Sequence, residues 1–98
     1  MSDESAQKRV EAQIEGRVQG VGFRYFVRRE ATKLGVGGWV RNLCSGDVQF
    51  VAEGPEEDLK KLLEIVREGP PMSHVVRVNA RWEQSRNEFG SFETKYTI

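Results

Sequence analysis

The segment Gly16-Arg17-Val18-Gln19-Gly20-Val21-Gly22-Phe23-Arg24 lies where one periodicity gives way to another. Before it, Val10, Ala12 and Ile14 alternate with Arg9, Glu11, Gln13 and Glu15, the pattern of a strand with one wet face. After it, Phe23, Phe26, Val27, Ala31 and Leu34 recur at helical spacing, with Arg28, Arg29 and Lys33 on the opposite side. The segment is therefore a strand-to-helix turn. Its glycines allow positive φ angles and the close approach of a ligand. Successive N–H groups in such a turn converge on an anion, and the helix start adds free N–H groups and partial positive charge. Arg24, in the first helical turn, can clamp two oxygens of one phosphate with its planar guanidinium. The same residues also read as an ordinary glycine-rich connection with a surface arginine. No Gly-Lys-Ser/Thr follows, so the segment is not a Walker A loop.

Outward from this turn, the first strand is predicted over residues 8–15, and Gly35 ends the first helix. Strands over 36–43 and 47–53, joined by Cys44-Ser45-Gly46, form a hairpin. Gly54-Pro55 with Glu56, Glu57 and Asp58 opens a second helix, with proline tolerated and acids favoured in its first turn. Leu59, Leu62, Leu63 and Val66 are its apolar stripe, and Gly69-Pro70-Pro71 stops it. A fourth strand over 75–83 points Val76, Val78, Ala80 and Trp82 inward and Arg77, Asn79 and Arg81 outward. A polar loop over 84–91 leads to a last strand over 92–98. The order β-α-β-β-α-β plus one strand is the split βαβ, ferredoxin-like α+β plan, with both helices on one face of an antiparallel or mixed sheet.

The chain has 98 residues, enough for one domain with one modest core. With 15 Lys+Arg against 15 Asp+Glu the formal net charge is +0, so no global field draws in nucleic acid or an acidic membrane. Any anion selectivity must be local. The single cysteine, Cys44, cannot form an internal disulfide; it has no histidine nearby in sequence and reads as inert or an accidental oxidation site. The polar start lacks a signal-peptide pattern, and no apolar run reaches membrane-spanning length. A soluble cytoplasmic monomer is expected, with residues 1–7 a disordered tail and 8–98 a single domain. His74 has no Cys or carboxylate at ligand spacing and reads as a solvated loop residue, so no metal site is expected. Arg28, Arg29 and Lys33 read as the wet side of a helix, or as a face that steers anions. Trp39 and Trp82 read as core or half-buried strand residues, and Gly35, Gly37 and Gly38 as structural.

On the ferredoxin-like plan the end of the second strand neighbours the glycine turn, and Asn42 stands there. Its amide offers an acceptor and two donors, enough for a water and a phosphate oxygen, although asparagine before a turn is also ordinary turn chemistry. Taken together, Ile14 to Arg24, Gly38-Trp39-Val40-Arg41-Asn42, Gly46-Asp47-Val48 and Gly54 closely resemble both signature motifs of the acylphosphatase family. The resemblance extends through Gly69-Pro70-Pro71 to Tyr96. It implies hydrolysis of the carboxyl–phosphate bond of a small-molecule acyl phosphate, with no metal or cofactor. By position it implies that Arg24 binds phosphate, that Asn42 orients the attacking water, and that Gly16, Arg17, Val18, Gln19, Gly20 and Val21 supply the backbone cradle. Two positions depart from the family pattern: Gly22, a cysteine in some members, and Leu43, often threonine, which offers Asn42 no hydroxyl.

The chemistry explains the short cast of residues. A carboxylate leaving group has a pKa of roughly 4 to 4.5 and departs without being protonated, so no general acid is required. Two other functions are compatible with the plan. An RNA-binding module would stack bases on aromatics of the open sheet face, but Arg9, Glu11, Gln13, Glu15, Gln49, Val51 and Glu53 stand there instead. A phosphate sensor would bind at the loop without chemistry and would have no use for Asn42.

Overall fold

The computed structural model describes residues 7–98. β1 (Gln7–Arg17) leads through the glycine turn into α1 (Phe23–Leu34). β2 (Gly37–Asn42) and β3 (Val48–Pro55) form a hairpin, α2 (Glu56–Glu68) carries the chain to β4 (His74–Gln84), and a short β5 (Phe92–Thr94) follows. The sheet order is β4-β1-β3-β2-β5, antiparallel except for β5, which runs parallel to β2. The fold is the expected ferredoxin-like α+β arrangement with one strand added at an edge.

Period-two alternation puts Val10, Ala12 and Ile14 of β1, Val40 of β2 and Val48, Phe50 and Ala52 of β3 on one face of the sheet. There they meet Phe23, Val27 and Ala31 of α1 and Leu59, Leu62, Leu63 and Val66 of α2 in one core. Fully burying a side chain such as Phe50 or Leu59 contributes about 1.5–3 kcal/mol, so this face holds both helices to the sheet. The other face carries a polar lattice. Gln49 donates to Glu11 at 2.8 Å, Arg41 donates to Gln49 at 2.9 Å, and Asn79 donates to Glu15 at 3.0 Å. The Arg41 guanidinium and the Lys95 ammonium stack over the Trp39 ring at 4.7 and 5.0 Å from its centroid, which leaves Trp39 half-buried on the helix-free face.

Several boundaries differ from expectation. Residues 1–6 of the expected tail lie outside the described residues, but Gln7 belongs to β1 and pairs with Pro55. Gly54 and Pro55 finish β3, and Pro55 is the N-cap of α2 rather than part of its first turn. His74 is not a loop residue; it is the exposed first residue of β4, opposite Arg17. The last strand ends at Thr94, although Lys95 N–H still donates to the Val40 carbonyl at 2.8 Å.

The inward set predicted for β4 is corrected most. The β1–β4 register slips between Glu15 and Gly16, so that Gly16 lies opposite Val75 and Val76 has no partner. This bulge turns Val76 outward, 63% exposed, while Val75 and Val78 pack on the core. Ala80 and Trp82 sit opposite Ala12 and Val10, but β4 is the sheet edge and both remain exposed.

Candidate active site

Strand register brings the glycine turn to Asn42. Ile14 of β1 pairs with Val48 of β3, and Val48 pairs with Asn42, so β1 and β2 end at the same edge of the sheet. Asn42 has the parity of Val40 and Gly38, which places its side chain on the helix-bearing face. The chain leaving β1 must turn onto that same face to start α1.

Gly20 and Gly22 make the turn with φ of 77° and 78°, the left-handed region that favours glycine. Gly22 is the N-cap of α1 and offers no side chain. The amides of Phe23, Arg24 and Tyr25 precede the first helical hydrogen bond, from Phe26 N–H to the Gly22 carbonyl at 3.0 Å, and no acidic residue occupies the first turn. α2 is built the opposite way, with Glu56, Glu57 and Asp58 in its first turn. Of the two helix starts, only that of α1 is left open to an external anion.

Val18, Gly20, Gly22, Phe23, Arg24, Tyr25, Asn42 and Thr94 line one cavity of about 310 Å³ at this point. Val18 and Phe23 are buried and anchor the turn to the core. Among the described residues Arg24 enters no ion pair, and the Asn42 amide makes no side-chain hydrogen bond within the protein. Both polar ends are thus free for a ligand. The lining holds no Asp, Glu, His or Cys, and among the described residues no three such side chains gather to hold a metal.

The remaining cradle residues are placed differently. Gly16 and Arg17 are the last residues of β1, opposite Val75 and His74. A Cβ on Gly16 would collide with the His74 carbonyl, so that glycine serves the close β1–β4 approach. Val21 packs against the core, half-buried. The Gln19 side chain turns from the cavity toward the β2–β3 hairpin, donating to the Leu43 and Asp47 carbonyls at 2.7 and 2.8 Å. Leu43 presents no hydroxyl to Asn42.

Thr94 was not singled out from the sequence. It pairs with Val40 in parallel register, on the same sheet face as Asn42 and one strand further out. The signal that could have found it is its two-residue spacing from Phe92, whose side chain enters the core. The segment leading to β5 is held by a clamp at the far end of the sheet. Glu53, 7% exposed, accepts from Arg86 N–H at 2.7 Å, Glu88 N–H at 3.2 Å and the Arg9 guanidinium at 2.9 Å. Burial alone would raise the Glu53 pKa. The hydrogen bonds from Arg86, Arg9 and Glu88 and the charge of Arg9 outweigh it and hold the carboxyl below its ordinary range. A larger cleft, about 680 Å³, lies between α1 and the segment from Phe89 to Glu93, but neither Arg24 nor Asn42 lines it.

A ferredoxin-like α+β fold thus sets an open helix start, an arginine and a carboxamide around one cavity. The family model for acylphosphatase matches residues 10–94. An acylphosphatase of Salinibacter ruber is 48% identical over 89 residues, covering 91% of this chain and 94% of the relative. One from Thermococcus kodakarensis is 53% identical over 79 residues, covering 79% and 87%. The crystal structure of acylphosphatase from Bacillus subtilis superposes with a TM-score of 0.88 at 40% identity, covering 91% of this chain and 99% of that one. The chain belongs to the acylphosphatase family, hydrolases acting on acid anhydrides.

Proposed function

We propose that the protein cleaves the carboxyl–phosphate bond of small acyl phosphates in the cavity between the α1 start and the end of β2, without a metal or cofactor. The observation that carries this reading is the convergence of Arg24, the uncapped start of α1 and Asn42 on one space. Arg24 and the N–H groups of residues 16–21 and of the helix start hold the phosphoryl oxygens, whose charge persists through a loose transition state. Asn42 holds a water in line with the bond to the acyl oxygen. The water oxygen bonds to phosphorus, the phosphorus–acyl oxygen bond breaks, and its electron pair leaves on the carboxylate. With no Asp, Glu, His or Cys in the lining, a phosphoryl oxygen of the substrate takes the water's proton.

The leaving group supports metal independence, because a carboxylate of pKa roughly 4 needs neither a proton donor nor a Lewis acid to depart. The exposed thiol of Cys44 suits a reducing cytoplasm. The bulged, charged β4 edge, with Arg77, Arg81 and Glu83, disfavours pairing between copies and supports a monomer. Nucleic acid is no partner in this reading, since Trp39 lies under two cations rather than open for stacking. Nor is a membrane, and among the described residues no helix is long and apolar enough to cross one. Phosphate release from acetyl phosphate in the presence of a chelator, with an alkyl phosphate monoester as control, tests the chemistry. Only the acyl phosphate should be cleaved; equal cleavage of both would overturn the leaving-group argument.

A further inference from the structure

The half-buried Gln19 amide joins two parts of the site that the chain itself connects only through α1 and β2. Its Nε2 donates to the Leu43 carbonyl at 2.7 Å and to the Asp47 carbonyl at 2.8 Å. The chemistry fixes the amide's orientation, since two carbonyl oxygens can be met only by the NH2 end. Leu43 immediately follows Asn42, and Asp47 immediately precedes Val48, the residue paired with Asn42. The same carbonyls close the hairpin: Asp47 O accepts Leu43 N–H at 2.8 Å and Leu43 O accepts Gly46 N–H at 3.0 Å. Gln19 thus grips both sides of the hairpin turn, one residue beyond Asn42 and one before Val48, while its own backbone lies between Val18 and Gly20 of the cavity wall.

We propose that Gln19 is a positioning residue that sets the separation between the bound phosphoryl group and the Asn42 carboxamide. The proposal deepens the reading above and rests on Asn42 placing the water. Without the two bonds, the turn and the hairpin keep their own local structures but lose their mutual register. Phosphate binding, which needs only the turn and Arg24, survives, and the water's line of attack does not.

The test is steady-state kinetics on acetyl phosphate with inorganic phosphate as a competitive inhibitor. Gln19→Leu should lower kcat by about 10²-fold, the scale of a 1 Å misplacement, with phosphate inhibition unchanged. In a double-mutant cycle, Gln19→Leu should slow Asn42→Ala no further, because the residue acts through Asn42. Gln19→Glu turns a carboxylate toward two carbonyl oxygens; its protonated form regains one donor, so its kcat relative to wild type should rise as pH falls toward about 5. Gln13→Leu removes another bond to the same hairpin, Gln13 Nε2 to Asp47 Oδ2 at 2.6 Å, and should leave kcat unchanged. Wild-type kcat in Gln19→Leu, full additivity with Asn42→Ala, or a Gln19→Glu pH profile parallel to wild type would each overturn the proposal. If Asn42→Ala itself turned over at the wild-type rate, the water-placing reading would fail first, and the two failures are distinguishable.

Discussion

Arg24 brings charge to the cavity and Asn42 brings a neutral amide, so their losses should differ in kind. Arg24→Ala should abolish both turnover and phosphate binding. Asn42→Ala should lose about 10² to 10³ in kcat, the scale of one oriented polar group, and still bind phosphate, which titration calorimetry with inorganic phosphate would show. Wild-type turnover in Asn42→Ala would remove it from the mechanism. Both residues, which the structure places on one cavity, stand at breaks in periodicity, Arg24 at a helix start and Asn42 at a strand end, but it is the acylphosphatase resemblance that singles them out from ordinary turn residues. Thr94 was harder to find: its spacing from Phe92 marks its face, but its nearness to Asn42 depends on β5 joining the free edge of β2 in parallel, which that spacing does not encode. Gly16, a cradle residue in the proposed reading, also stands where β4 approaches closely. It has φ of 133°, and a Cβ there would press on the His74 carbonyl and stand 2.9 Å from Val76 N. Gly16→Ala should therefore destabilise the fold, with the backbone strain alone costing about 1–3 kcal/mol, measurable as a lower urea midpoint.

Among the elements, the two helices and β1 to β3 were readable because their buried faces are continuous and their ends are punctuated by glycine and proline. β4 was not, because an edge strand with a bulge breaks strict alternation: Val76, apolar and in phase, faces solvent. The segment from Ser85 to Phe89 looked like a plain polar loop, yet its backbone is seated on Glu53. Arg9 adds an ion pair to Glu88 at 2.9 Å and a stacking contact with Phe89 at 5.5 Å. Glu53→Gln should cost about 1.5–3 kcal/mol, the range for hydrogen bonds to a charged group. The pH dependence has a definite sign. Because the folded carboxyl is held below its ordinary pKa, the clamp contributes fully above the unfolded value of about 4.5 and is lost as pH falls through the folded one. Acid unfolding followed by circular dichroism should show a limb below about pH 4.5 that is shallower in Glu53→Gln. An identical acid limb in the variant would remove Glu53 from it.

For the whole molecule, a single small core leaves a modest net stability, against which binding of a ligand is a large increment. Inorganic phosphate at about a hundred times its Kd should add about 2.7 kcal/mol to the native state. The resulting rise in Tm should persist in Asn42→Ala and vanish in Arg24→Ala; a rise of equal size in Arg24→Ala would place the anion elsewhere.

The contrast between the two helix starts has a practical side. α2 brings its own counter-ions in Glu56, Glu57 and Asp58, whereas α1 leaves that place vacant. A Tyr25→Glu variant would furnish α1 with a tethered counter-ion, making a molecule that melts later and works more slowly because it has become its own inhibitor. In the proposed mechanism that vacancy is the room in which the substrate is received, held open at the expense of the helix that borders it.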